Sequence, residues 1–128
     1  GERKGSLLSG IQNGNLLQMH TFPCENGDEF PKNQYTKWFD YDRIKGTLSL
    51  RHRQPGDYLT LPSGGRKTLK SWMIDEKIPR QEREEIWLLA EEKHILWIVG
   101  HRISAYYKIT EQTKTILEVE FNGGKSSG

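Results

Sequence analysis

Six cations set the chemistry this sequence can offer: Arg51, Arg53, Arg66, Lys67, Lys70 and Arg102. An arginine guanidinium forks onto phosphate oxygens, and a lysine ammonium acts on them as a point charge, so such a set suits a polyanion. Residues 51–70 hold five Lys or Arg against one acid, Asp57, and residues 93–108 add three more with no acid. Residues 1–45 balance six against six, so a net charge of only +2 conceals a segregated basic region. Arg80, Arg83 and Lys108 form a secondary set. Glu82, Glu84 and Glu85 surround the first two, a mixture that more often makes a self-paired, solvated surface.

Catalytic chemistry has little support. The four histidines, His20, His52, His94 and His101, could in principle join a triad, but the sequence lacks a Gly-x-Ser-x-Gly elbow, a His-Glu-x-x-His pair and a paired acidic motif for Mg²⁺. Each histidine is expected to be a surface or hydrogen-bonded structural residue. The single cysteine, Cys24, permits no intrachain disulfide or CxxC zinc site. Ser63-Gly64-Gly65 could cradle a phosphate at a helix start, yet Arg66-Lys67-Thr68 follows, so no Walker A loop is formed. It is read as a flexible approach to a nucleic-acid phosphate, with a turn carrying solvated cations as the alternative.

The elements that must position these residues follow from periodicity. Leu7, Leu8 and Ile11, then Asn13-Gly14, then Leu16, Leu17 and Met19 suggest a hairpin, and residues 22–33 a loop. Tyr35, Trp38, Phe39 and Tyr41 form either a base-stacking platform, with Trp38 foremost, or a hydrophobic clasp between the hairpin and the rest. Residues 47–50 and 58–61 read as strands either side of Pro55-Gly56-Asp57. Alternation puts Arg51 and Arg53 on one side, where they could instead pair with Asp57 or Glu118. Spacing of Leu69, Trp72, Met73 and Ile74 predicts a helix over 67–77, with Lys67 and Lys70 opposite the core and Ile78 before Pro79 ending it. Pro79 then opens a short helix over 80–85. Residues 87–90 and 95–99 read as paired strands, the nearly continuous Ile-Leu-Trp-Ile-Val run being central and Arg102 leaving its end. Residues 115–121 alternate as a last strand.

The expected fold class is α+β, a largely antiparallel sheet system with one main helix. The expected domains are a small β-hairpin and aromatic subdomain over 1–45, a main domain over 46–121, and a flexible tail over 122–128. Apolar content of 34% without a run near the roughly 18 residues of a membrane span, and the lack of a secretory n- and h-region, lead to the expectation of a soluble, cytoplasmic protein with no membrane partner.

One ordered set of residues resembles a known family. Arg51, Arg53, Gly56 and Asp57, then Gly64, Gly65, Lys67, Leu69 and Lys70, then Ile78, Pro79 and Arg83, then Trp97, Gly100, Arg102, Ile103 and Ser104, resemble the C-terminal domain of bacterial tRNA(Ile)-lysidine synthetase over residues 46–121. The resemblance implies a PheT/TilS-like C-terminal domain. It also implies a complete enzyme that uses ATP, with Mg²⁺, to adenylate the wobble cytidine of the isoleucine tRNA with a CAU anticodon, then lets lysine displace AMP. That enzyme's Ser-Gly-Gly-x-Asp-Ser loop for ATP has no match here, so ATP and lysine would be bound by a catalytic domain elsewhere in the polypeptide, and none by these residues. The task implied for this domain is to hold the acceptor stem of the tRNA, with the cations above as RNA contacts. The alternative is a protein-interaction or dimerisation module without RNA binding, with a homodimer as possible partner and Tyr35 to Tyr41, Trp38 included, and a sheet edge at residues 95–99 as the contact.

Overall fold

The computed structural model describes residues 16–25 and 34–122. The hairpin's first strand, its Asn13-Gly14 turn, most of the 22–33 loop and residues 123–128 lie outside them. Among the described residues no helix is long and apolar enough to cross a membrane.

The apolar run after His94 organises the molecule. Strand β7 (His94–Ile98) lies between β6 (Leu88–Glu91) and, along its other side, β4 (Tyr58–Thr60) and β8 (Arg102–Ile103). Ile95, Leu96, Trp97 and Ile98 are each 0% exposed, as a strand covered on both faces must be if it reads as continuously apolar. The six-stranded sheet runs β3-β6-β7-β4-β5, with β3 at Leu48–Arg51 and β5 at Arg66–Thr68. Its pairings are antiparallel except β4 with β7, which meet in parallel at Tyr58 and His94. The fold class is α+β, mostly sheet, with one main helix.

A second sheet covers one face. Strand β9 (Thr115–Phe121) lies between β1 (Leu17–Pro23) and β2 (Thr36–Asp40), antiparallel to both. Strand β9, the last among the described residues, therefore completes a sheet begun within residues 1–45. Leu17, Met19, Phe39, Leu117, Val119 and Phe121 pack against Leu48, Leu50, Leu89 and Trp97 of the larger sheet. Phe39, at 6.3 Å from Trp97 between ring centroids, acts here as a clasp. Trp38 is half-buried, edge-on to Phe22 and donating its indole N–H to Glu118 at 3.1 Å.

Helix α1 (Leu69–Asp75) covers the other face, where Leu69, Trp72, Met73 and Ile78 join Leu59, Leu88, Ala90, Ile95 and Ile98. The helix starts two residues later than its periodicity predicts, because residues 66–68 pair with β4 and Thr68 stays extended as the N-cap, accepting the Ser71 N–H at 3.1 Å. Lys67 is thus a strand residue and does not share a helix face with Lys70. The helix also stops before Pro79 can act. Lys77 adopts φ 58° and donates to the Ile74 carbonyl, while Ile78 donates to that of Met73, the pattern of a Schellman stop. Ile74, expected in the core, is 50% exposed because the sheet contacts only the stripe of Leu69, Trp72 and Met73. Pro79 caps the short α2 (Arg80–Arg83).

The connection from β3 to β4 is held by a buried ion pair. Arg51, 7% exposed, directs two nitrogens at the two oxygens of Asp57, each at 2.9 Å. The same two nitrogens also donate to the carbonyls of His52 at 2.9 Å and Glu92 at 2.7 Å, and Asp57 also accepts the Gln54 N–H at 2.8 Å. Truncating one member of such a pair leaves the other charge buried, at a cost of about 3–5 kcal/mol. Arg51→Met and Asp57→Ala are each expected to lower urea-unfolding stability by about that amount, with the double variant costing less than the sum. Equal stability of Arg51→Met and the parent would mean that the pair does not hold this turn. Lys77→Gly is expected to be neutral or to stabilise by up to about 1 kcal/mol, because glycine relieves the left-handed backbone; a clear loss in the same assay would contradict the Schellman stop.

Candidate nucleic-acid interface

Burial and pairing sort the predicted cations. Arg51 is enclosed, and both its terminal nitrogens bond Asp57 and backbone carbonyls, so it positions the turn rather than facing solvent. Arg53 lies on the chain just after β3 and is held to Glu84 at 2.7 Å through both Nε and a terminal nitrogen. Lys67 pairs with Asp75. Exposed pairs of this kind contribute about 0–1 kcal/mol, so either cation can exchange its carboxylate for a phosphate at little cost. Lys70 and Arg80 are exposed and have no ion pair among the described residues.

Two hollows collect these residues. A groove of about 580 Å³ is walled by Arg53, the 54–57 turn and the start of α1 at Leu69 and Lys70. It continues into a second depression that Arg53 and Lys70 share with Arg80 and Arg83. Arg83 donates Nε to the Ile78 carbonyl at 2.8 Å, which fixes its guanidinium at that wall. Cations 30 residues apart in the chain therefore face one concavity, whose one acidic wall residue besides the buried Asp57 is Glu84, already on Arg53.

The other hollow, a cleft of about 740 Å³, lies across β4 and is lined by Arg66, Tyr58, His94, Tyr106 and Tyr107 among others. Arg66 sits 4.5 Å above the Tyr58 ring. Arg102 and Lys108 line neither hollow: Arg102 is half-buried on β8 opposite Ile98, and Lys108 is exposed after the 3-10 turn at Ala105–Tyr107. The predicted set is thus not one patch. Arg53 and Lys70 meet with Arg80 and Arg83, Arg66 faces elsewhere, and Arg51 is interior.

Ser63-Gly64-Gly65 closes the β4–β5 hairpin, where the Gly64 N–H bonds the Leu61 carbonyl and the Leu61 N–H bonds that of Gly65, each at 2.8 Å. The loop is therefore not at a helix start, where successive amides could converge on a phosphate. The histidines are engaged separately: His20 with Glu118, His52 stacked on Trp87 at 4.1 Å, His101 edge-on to Trp72, and His94 in the cleft. Among the described residues no group of three or more His, Cys, Asp or Glu is placed to hold a metal ion.

The cleft aromatics are the functional candidates that sequence spacing did not reveal. Burial first, then the Arg66 charge, lowers the pKa of His94, with Glu91 opposing, so its ring is neutral near pH 7. Burial, together with donation to Glu91 at 2.7 Å, pushes the Tyr107 phenol well above its usual range. The adjacency of Tyr106 and Tyr107 was the one local signal; Tyr58 and His94 come from distant segments that only the β4–β7 contact unites.

Comparison with known proteins places this geometry in a family. The model of the TilS substrate C-terminal domain matches residues 48–120. A tRNA(Ile)-lysidine synthase of Caldanaerobacter subterraneus subsp. tengcongensis is 45% identical over 95 residues, covering 73% of this chain and 20% of that protein. One of Clostridium tetani is 40% identical over 101 residues, covering 78% and 22%. The chain thus spans about a fifth of the length of these relatives. A crystal structure of a TilS C-terminal domain superposes with a TM-score of 0.59 at 27% identity, covering 84% of this chain and 85% of that one. On the matched family model, the sequence relatives and the shared architecture together, this chain belongs to the family of C-terminal domains of tRNA(Ile)-lysidine synthases.

Proposed function

We propose that this chain is a tRNA-binding module that grips the acceptor stem of the isoleucine tRNA with a CAU anticodon. The catalytic domain of the same polypeptide, in the cytoplasm, would use ATP with Mg²⁺ and lysine to convert the wobble cytidine to lysidine. The observation that carries this reading is the groove where Arg53, Lys70, Arg80 and Arg83 converge. A-form RNA hides its base edges in a narrow major groove, so a protein meets a stem through phosphates, 2′-hydroxyls and shape. A concave cationic wall serves that contact better than scattered surface charge. Arg51 is left out of the proposed contact set because it is buried with both terminal nitrogens engaged; Arg53, Lys70, Arg80 and Arg83 form its centre, and Lys67, which lines neither hollow, would add to it only by exchanging its carboxylate beside the groove. Arg66, Arg102 and Lys108 would touch RNA only where it extends beyond the groove. Tethering to a second RNA-binding unit lets a weak module matter through effective concentration.

The alternative, a protein-interaction or dimerisation module, loses the sheet edge at residues 95–99, since β7 is an interior strand with both sides paired, and would rest on Tyr35 to Tyr41 alone.

Neutralising about four phosphates should give a log-log salt slope of roughly −3 to −4 for binding of isoleucine tRNA. Lys70→Ala with Arg80→Ala should reduce that slope by about 2 while leaving the unfolding midpoint in place; an unchanged slope and affinity would move the contact to another face. Specificity is tested with the elongator methionine tRNA, which shares the anticodon letters. The tighter binding of isoleucine tRNA should follow the acceptor stem when the two stems are exchanged, and a preference that stays with the anticodon would sink the stem assignment.

A further inference from the structure

The cleft beyond β4 is built as a stack with a cation at each end. Tyr58 stacks on His94 with centroids 4.6 Å apart and planes 26° from parallel, and His94 meets Tyr106 at 5.0 Å and 39°. Arg66 lies 4.5 Å above Tyr58, and Arg43 lies 4.8 Å above Tyr106. Tyr106 is 39% exposed, so part of its ring is open to the cleft. Its neighbour Tyr107 is buried and held from behind: Glu91 accepts its hydroxyl as well as the backbone N–H groups of Lys45, at 2.6 Å, and Gly46. That carboxylate is thereby occupied, and the cleft has four cations against two acids.

Rings that stack on one another without a polar code, capped by guanidinium groups, match the needs of a nucleobase between two phosphates. Every base has a π-face, so stacking tolerates sequence, while guanidinium groups track the backbone. The position also fits. Asp57 borders the groove and Tyr58, the next residue, borders the cleft, so an RNA strand that rounds the 54–57 turn would reach the aromatic stack.

We propose that this cleft receives an unpaired nucleotide of the RNA whose stem lies in the groove, its base entering between the Tyr106 ring and the Arg43 guanidinium that covers it, and its flanking phosphates meeting Arg43 and Arg66. The proposal rests on the stem-binding reading and extends it to the single-stranded end that adjoins an acceptor stem. Tyr58 and His94 would act as positioning residues that hold the Tyr106 ring and the Arg66 guanidinium, rather than as contacts themselves.

The test uses this 128-residue chain and two RNAs with the same stem, one blunt and one with an unpaired 3′ end carrying 2-aminopurine. The unpaired end should tighten binding by about tenfold, within the range for one stacked base, and the 2-aminopurine emission should be quenched on binding. Tyr106→Ala should abolish both the increment and the quenching while the blunt stem binds as before; its ring is partly exposed, and an unfolding curve verifies the fold. Equal affinity of the unaltered protein for the two RNAs would overturn the cleft proposal and leave stem binding standing. An increment that survives Tyr106→Ala would also overturn it, and failure to bind either RNA would overturn both readings.

Discussion

The Arg51–Asp57 pair is the constraint from which both candidate surfaces take their shape. Asp57 is fixed by its carboxylate, and its backbone then acts twice: its carbonyl accepts the Leu69 N–H at 2.9 Å, seating the first residue of α1, and its own N–H donates to Gln54. The next residue, Tyr58, donates its N–H to the Lys93 carbonyl at 3.0 Å, and Arg51 reaches the neighbouring Glu92 carbonyl. One buried interaction therefore ties the 54–57 turn to the helix on one side and to the β6–β7 turn on the other. The turn itself needs Gly56, whose φ of 90° would strain any residue with a Cβ. Desolvating two charges is expensive, so the pair is weak evidence for net stability. Its consequence is positional, because Lys70 and Tyr58 are placed by the backbone it fixes.

Much of the scaffold was legible because burial leaves a periodic mark. The run at residues 95–99 identified β7 as central, and alternation over 115–121 gave β9 with Leu117 and Val119 inward. The α1 stripe was readable from Leu69, Trp72 and Met73, but its start was not. Residues 66–68 carry helix-compatible side chains, and only pairing with β4 makes them extended. Likewise Ile74 continues the apolar spacing yet lies beyond the width of sheet available to cover it.

The site was less legible, for a reason specific to charge. A cation's type and position say what it can bind, while its availability depends on partners that folding supplies. Arg51 and Arg53 differ by two residues and look equivalent on one strand face; one is enclosed by Asp57 and two carbonyls, and the other holds a solvent-facing pair with Glu84, 31 residues on. The aromatic cleft was hidden differently. Tyr58, His94 and Tyr106 are contributed by a strand, a neighbouring strand and a 3-10 turn, and a stack assembled across three segments leaves no spacing to detect.

The same distinction explains how a chain with a net charge of +2 can serve a polyanion. Glu84 and Asp75 neutralise Arg53 and Lys67 where solvent screens the pairs, so the cations are kept ordered and each pair opens for less than about 1 kcal/mol. A single small anion would gain little by displacing either carboxylate. A stem presenting several phosphates at once releases several counterions and can satisfy the exposed Lys70 and Arg80 together with Arg53 released from Glu84. On the proposed reading, selection for RNA then arises from multiplicity along the groove, while the enclosed Arg51 supplies rigidity and contributes nothing to that exchange.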